Sequence, residues 1–527
     1  MTLDVSAPAI GGATGGATGE RRAARLPAPV LWSALWLLVF LASLRLAGSS
    51  PIDSDGASNV LQGADLLHGN LLLSHWQVSD VSFYLTDLPL YAVLALIFGT
   101  APAVVHVGAA VVFTFVVLLT ALLARDRGGL PGAALAAAIV FTAPVDPAGI
   151  QLFLSSPNHI STVAMALLVL LIMERRVGVL FTVVAAVAEL SDPMAIFVLA
   201  VPVLAVSGLR ATRRLDGWQA EVRLFLCTAG SLVLAKAAEL SLRAAGGFHA
   251  YAPATRFAPA TRLGGDLITT YRQTLLLFGA DYSGHRLGRH LLVPALHLLG
   301  LLLVVIAVVI TIRHFFDLDR LDQILAVAIV VNLAAFALTS QARSSHSARS
   351  FLAVLAFGAV LAARRLPGPL ARLRLTPLVS AVLAGCLLLT LGSLRHGARN
   401  VALVGGQVGQ NNGALVAWLE ANHLTYGLGS YWNASGVTVQ SRGRVKARPV
   451  KLQGGRLAVM DTEFDRRWYD PARYQANFLI VADDHPHLKK VAIKTYGAPA
   501  RTAAVATSTI LVWNRNLLPV APSPRDE

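Results

Sequence analysis

Long apolar runs separated by short polar connections dominate this chain, as at 31–46, 301–312 and 352–363. A backbone that crosses a bilayer must satisfy its own hydrogen bonds, so an apolar run of roughly 20 residues predicts a transmembrane helix. Only 14% of the 527 residues are charged, whereas a soluble protein carries about 25%. The sequence therefore predicts a polytopic α-helical membrane protein with about eleven to thirteen transmembrane helices.

The positive charge of the chain indicates membrane topology and not a nucleic-acid partner. The formal net charge is +15, but the basic residues are spread between apolar runs and form no single basic patch. Clusters of Arg mark the cytoplasmic ends of transmembrane helices. We therefore expect a multi-pass plasma-membrane protein with a cytoplasmic N-terminus. The clusters occur at 21–25, 125–127, 174–176, 210–214, 313–320 and 364–374.

The connections between these clusters are expected on the opposite, outer side of the membrane. Segment 83–98 does not fit a regular alternation, because only one crossing fits between the first outer loop and the Arg residues at 125–127. We interpret 83–98 as a helix in the membrane interface. The predicted outer segments are 49–82, 144–157, 190–192, 242–290 and 340–349.

Composition divides the chain into three regions. Residues 1–27 are rich in Gly, Ala and Thr and are predicted to form a disordered cytoplasmic tail. Residues 28–394 are predicted to form the transmembrane domain, with its first outer loop at 49–87. Residues 395–527 combine a helical pattern with short apolar runs between turn signals, such as 477–484. These features predict a small extracytoplasmic α/β domain.

The first outer loop contains an unusual density of acids directly after the first apolar run, in "PIDSDGASNVLQGADLLHGN" (51–70). Asp53 and Asp55 would lie near the bilayer surface, where a carboxylate is suited to take a proton from a hydroxyl. The alternative is that either residue simply caps a helix. Asp55 is the candidate catalytic residue, and Asp53 is a candidate substrate-binding residue.

Other predicted outer connections also carry polar side chains suited to binding sugars or phosphates. Acids or His occur in "VSDVSFYLTDLPLY", "SSPNHIS" and "ELSDPM". The loop "TSQARSSHSARS" carries Arg against the positive-inside trend, and the Arg guanidinium is well matched to a phosphate. A misassigned topology is the alternative explanation of that loop. The candidate substrate-binding residues are Asp53, Asp87, His159, Asp192, Arg343, His346 and Arg349.

Two motifs of the first outer region resemble a known family. "DGASNVLQGADLLHG" followed by "LTDLPLYAVLALIFG" is similar to the first outer loop of the GT-C membrane glycosyltransferases. This superfamily includes protein O-mannosyltransferases and lipid A aminoarabinose transferases. Asp55 occupies the place of the family's leading acid, although Gly56 follows it where Glu is usual. The segment 426–450 resembles extracytoplasmic domains of actinobacterial relatives.

The resemblance implies an inverting glycosyltransferase that uses a polyprenyl-phosphate sugar donor on the outer face. Asp55 would be the general base, while Arg349, with Arg343, would stabilise the departing phosphate. The acceptor would be a cell-envelope glycan, a lipid or a protein, and the transferred group a hexose or a pentose. The sequence contains no P-loop or dinucleotide-binding motif, so no nucleotide cofactor is expected. A divalent metal is left open.

A second function remains compatible with the sequence. A transporter or flippase for a lipid-linked or anionic envelope precursor would also present polar residues inside a helix bundle. Lys236 and Glu239 are the strongest ionisable candidates within an apolar run, and no internal repeat is visible. An assembly protein that binds wall polymer is the third alternative, although it leaves the first outer loop unexplained.

Overall fold

The computed structural model describes most of the chain. The predicted tail 1–27, Arg343 and His346 lie outside the described residues. The described residues are 28–155, 159–215, 217–251, 256–282, 291–342, 347–400, 412–483, 485–518 and 520.

The part of the chain before residue 400 is almost entirely helical. Two short strands interrupt it, β1 (Trp76–Val78) and β2 (His249–Ala250), and a 3-10 helix covers Ser347–Phe351. A π-helical turn at Ile196–Ala200 leads directly into α8. The helices are α1 (Ala28–Ala47), α2 (Ser54–Leu67), α3 (Asp87–Phe98), α4 (Pro102–Thr142), α5 (Pro147–Leu154), α6 (Ile160–Arg175), α7 (Val179–Ser191), α8 (Val201–Thr212), α9 (Trp218–Ala244), α10 (Leu263–Leu277), α11 (Leu292–Arg313), α12 (Arg320–Leu338), α13 (Ala353–Arg365), α14 (Pro367–Arg372) and α15 (Thr376–Asn400).

Several of these helices have the length and composition of membrane spans. Within the described residues, α4, α9, α11 and α12 are each long and apolar enough to cross a membrane. Shorter apolar helices accompany them, among them α7 and the segment Ile196–Thr212. Helix α4 is interrupted at Gly129, whose φ of 60° breaks the helical path. The chain is thus a multi-pass membrane protein, and the number of crossings stays a prediction.

Most of the Arg clusters predicted at the cytoplasmic side meet at one end of the helix bundle. At the centre is Arg364, whose side chain is fully buried and bonds Asp322 at 2.7 Å and Asp319 at 2.8 Å. Together with the pairs below, these contacts bring the clusters near 125, 174, 210, 320 and 364 to the same end. The positive-inside rule predicts that they share one side of the membrane. The remaining pairs are Arg364–Asp126, Arg127–Asp319, Arg320–Glu174, Arg320–Glu221 and Arg210–Glu221.

The predicted outer connections meet in the same way at the other end. Strand β1 pairs with β2 and also with β6 (Phe464–Asp465) from the C-terminal region. Three connections between predicted outer segments support this arrangement. They are the backbone hydrogen bonds Phe83 N to Ser191 O and Phe248 N to Leu72 O, both 3.0 Å, and Ser340 N to Arg256 O at 2.9 Å.

The C-terminal region is an α/β domain, as predicted. Its six-stranded sheet has the order β5-β4-β3-β7-β9-β8, in which β3, β4 and β7 are parallel. Separate apolar cores contain Leu479 and Ile480, which are successive residues of β7 and therefore face opposite sides of the sheet. The elements are α16 (Gly413–Ala421), β3 (Tyr426–Ser430), α17 (Tyr431–Gln440), β4 (Lys446–Gln453), β5 (Arg456–Val459), β7 (Phe478–Ala482), α18 (Pro486–Tyr496), β8 (Arg501–Val505) and β9 (Ser508–Val512).

Glu463 connects this domain to α2 through a buried cluster of hydrogen bonds. Its carboxylate accepts from Ser58 Oγ at 2.5 Å, from Gln62 Nε2 at 2.9 Å and from the Ser79 backbone N–H at 2.9 Å. Glu463 also has a positive φ of 61°, a conformation that non-glycine residues adopt at a cost. Burial raises the pKa of Glu463 to about 7, although the hydrogen bond from Ser58 lowers it.

The pKa of Glu463 predicts that stability depends on pH. Its ordinary value is 4.5 and its folded value about 7, so the folded protein binds more protons than the unfolded chain between these values. The contribution of Glu463 to stability is therefore fully present below pH 4.5, and roughly 3 kcal/mol of it is lost as pH rises through 7. Glu463→Gln removes the titration, so the melting temperature should vary less across this range. An unchanged pH profile would contradict this assignment.

The Arg364 cluster predicts a large loss of stability on substitution. Arg364→Ala leaves Asp322, which is also fully buried, without its principal partner, and breaking a buried pair costs about 3–5 kcal/mol. We expect a marked fall in melting temperature in detergent. Arg372→Ala, at an exposed Arg of the adjacent α14, is the control and should melt like wild type. Equal melting of the two variants would contradict the prediction.

Candidate active site

Helix α2 places Asp55 in its first turn, directly after the membrane-associated α1. The helix begins there because Asp53 is its N-cap, and Asp53 Oδ1 accepts a hydrogen bond from the Gly56 backbone N–H at 2.7 Å. Asp53 is 4% exposed, so its carboxylate is used to start the helix. Capping is sufficient to explain why an Asp occurs at position 53, and its role in substrate binding stays a prediction.

Asp55 is contacted by two side chains from distant parts of the chain. Tyr431, the first residue of α17, donates its phenol O–H to Asp55 Oδ1. Arg349, from the 3-10 helix after α12, places Nη1 3.6 Å from Asp55 Oδ2. The side chains of Asp55 and Arg349 are 31% and 49% exposed, so both remain accessible to a ligand. The anomalous outer Arg and the candidate base are therefore neighbours.

His159 and Asp192 form a second pair at this end of the bundle. His159 Nδ1 lies 2.6 Å from Asp192 Oδ2, and Thr162 Oγ1 donates to the same carboxylate oxygen. His159 has a φ of 64°, and such left-handed backbone in a non-glycine residue is often found at functional sites. Two residues predicted separately at helix mouths are thus in direct contact.

Asp80 and Asp87 lie close to this pair. Burial raises the pKa of Asp80, and the nearby charge of His159 lowers it, as does that of Arg349 more weakly. Asp80 therefore shares its electrostatic surroundings with both contact pairs. Asp87 is 1% exposed and accepts a hydrogen bond from Thr86 Oγ1 at 2.9 Å. Its position inside the protein suits a supporting role better than direct contact with a ligand.

A cavity of about 480 Å³ opens beside these residues. Asp80 and Asp192 line it, as does Ser350, the residue after Arg349. Further from them its wall is largely apolar and includes Phe197, Leu232 and Phe336. Lys236, Glu239 and Arg243 form a chain of ion pairs along α9 at the same cavity, with both N···O distances 2.7 Å. The cavity is large enough for a sugar and has both polar and apolar walls.

The described residues contain no group of three or more His, Cys, Asp or Glu side chains arranged to hold a metal ion. Asp55, Asp87 and Asp192 are instead in contact with Arg, Tyr, His or Thr side chains. Such an arrangement is suited to transfer a proton at Asp55 and to neutralise negative charge at Arg349.

The site contains residues that sequence reasoning did not select. Tyr431 lies in the segment 426–450, where no local pattern marks its contact with Asp55. Glu463 lies in a short turn without any motif, and Asp80 belongs to an acid-rich outer segment that offered a partial signal. Arg343 and His346 were predicted here, but they lie outside the described residues.

Comparison with known proteins identifies the architecture. Neither a protein-family model nor a curated relative matches the sequence. ArnT from Cupriavidus metallidurans bound to undecaprenyl phosphate has a similar structure, with a TM-score of 0.52 and 13% identity over 92% of this chain and 97% of that chain. The Archaeoglobus fulgidus oligosaccharyltransferase gives a TM-score of 0.45 at 14% identity, over 90% and 73%. The predicted fold is confirmed, since the chain shares the fold of ArnT.

Proposed function

We propose that this protein is an inverting glycosyltransferase that takes a sugar from a polyprenyl-phosphate donor at the outer face of the plasma membrane. The acceptor would be a glycan, a lipid or a protein of the cell envelope. The observation that carries the proposal is the contact of Asp55 with Arg349, whose sequence neighbour Ser350 lines the cavity. The fold supports it, because the ArnT structure of the same fold was determined with undecaprenyl phosphate.

Asp55 would act as the general base. It would take the proton from the acceptor hydroxyl as that oxygen attacks the anomeric carbon of the donor sugar. The bond from this carbon to the phosphate oxygen breaks, and polyprenyl phosphate leaves with the electron pair. The partial exposure of Asp55 supports this role, because a base must come within hydrogen-bonding reach of the acceptor.

Arg349 would bind the donor phosphate and stabilise the negative charge that develops on it. The half-exposed guanidinium of Arg349, which precedes the cavity-lining Ser350, has donors free to form a fork with a phosphate. The apolar wall of the cavity would hold the first isoprene units, while His159, held by Asp192, would bind sugar hydroxyls. The end of the helix bundle that contains the Arg364 cluster would face the cytoplasm, and the C-terminal domain would be extracytoplasmic.

Asp55→Asn tests the general base. The substitution keeps the side-chain volume but removes the proton acceptor, so turnover of a radiolabelled polyprenyl-phosphate sugar should fall about 10²–10⁴-fold. Asp317→Asn, at an exposed acid of the opposite end, is the matched control and should retain wild-type turnover. Wild-type turnover in a folded Asp55→Asn protein would remove Asp55 from the mechanism.

Arg349→Ala and Arg349→Lys test phosphate recognition. Alanine removes both the charge and the donor fork, so the affinity for undecaprenyl phosphate should fall by about 10-fold or more. Lysine keeps the charge without the fork and should give an intermediate affinity. Binding is measured directly with the protein in detergent. Equal affinity of wild type and Arg349→Ala would exclude this role.

A further inference from the structure

The C-terminal domain supplies the phenol that contacts Asp55, although 376 residues separate the two positions. The backbone of Tyr431 is held as well, because Ser54 Oγ donates a 2.6 Å hydrogen bond to the Tyr431 carbonyl. Tyr431 thus contacts two successive residues at the start of α2, one through its backbone and one through its side chain. Its phenol has little freedom to leave Asp55 without a movement of the whole domain.

In this hydrogen bond Tyr431 is the donor and Asp55 the acceptor. Burial raises the pKa of Tyr431 well above its ordinary value, and the adjacent Asp55 carboxylate raises it further. The phenol therefore keeps its proton and donates to Asp55 Oδ1. Asp55 Oδ2 lies 3.6 Å from Arg349 Nη1, which is beyond hydrogen-bonding distance. Oδ2 is consequently the oxygen left to accept a proton, and it is the one that faces Arg349.

The interface around Tyr431 is built to hold this geometry. Val439 of α17 packs in one apolar cluster with Ile52 and Val60 from the start of the first outer loop. Further along, Arg467 pairs with Asp65 of α2 at 3.0 Å. The buried hydrogen bonds of Glu463 secure the middle of α2. Contacts along the length of α2 thus make this helix and the C-terminal domain one unit.

We infer that the C-terminal domain completes the active site, with Tyr431 as a positioning residue that orients the Asp55 carboxylate so that Oδ2 faces the substrates. This inference rests on the proposed function, since it assigns Tyr431 a part in proton removal by Asp55. It gives the domain a direct role in the reaction, beyond a role in binding wall polymer or in stabilising the membrane part. It also predicts that the effect of Tyr431 passes through Asp55 alone.

Tyr431→Phe removes a single oxygen atom and tests the inference. Loss of a hydrogen bond to a charged group should lower kcat by about 10-fold to 100-fold, whereas the KM for the polyprenyl-phosphate sugar and the affinity for undecaprenyl phosphate should stay unchanged. Tyr474→Phe is the matched control, because Tyr474 lies in the same domain and stacks on Tyr426 away from Asp55. It should show wild-type kcat. Melting temperatures of both variants verify that the fold is retained.

A double-mutant cycle separates positioning from a general structural effect. In an Asp55→Glu background the carboxylate is displaced by one methylene, so Tyr431→Phe should reduce kcat much less than it does in wild type. Wild-type kcat in Tyr431→Phe, or an equal reduction in both backgrounds, would overturn the inference while leaving the proposed function intact. If wild-type protein itself does not turn over the donor, the proposed function fails instead.

Discussion

The bilayer sets the constraint on which this structure depends. Backbone groups cannot be left without partners in hydrocarbon, so the chain crosses it as helices and its polar side chains collect at the two ends. This sorting explains how residues from four separate connections come to lie within one site. Asp55, Asp80, His159, Asp192 and Arg349 are distant in sequence, yet each follows or precedes an apolar helix on the same side.

The two ends use charge differently. At one end Arg364 is fully buried and its partners Asp319 and Asp322 satisfy it, which fixes the packing of α13 against its neighbours. At the other end Arg349 is half exposed and lies at 3.6 Å from its acid, so a ligand phosphate could replace that acid at small cost. A buried Arg whose hydrogen bonds are all made stabilises the fold. An accessible Arg with one long ion pair can bind a ligand instead.

The sequence was informative wherever a physical rule links neighbouring residues. Apolar runs predicted the helices, the positive-inside rule sorted their ends, and Arg349 stood out because it breaks that rule. Asp55 was predicted from a local motif, and the structure places its carboxylate 3.6 Å from Arg349. Tyr431 and Glu463 could not be predicted in this way, because their contacts with α2 form only when the C-terminal domain packs against it. No local sequence pattern encodes that packing. Asp53, by contrast, lies within the local motif, and the structure shows that its side chain caps α2.

The cluster at the Arg364 end also separates the two main functional alternatives. A transporter must open its binding site alternately to both sides of the membrane. An opening between α12 and α13 at this end would separate Arg364 from Asp319 and Asp322, and breaking buried pairs costs several kcal/mol each time. At the cavity, Lys236 and Arg243 both pair with Glu239, near the predicted outer end of α9. A transferase needs access from one side and from the lipid only, so it can keep the opposite end permanently closed. The charge arrangement therefore favours transfer over transport.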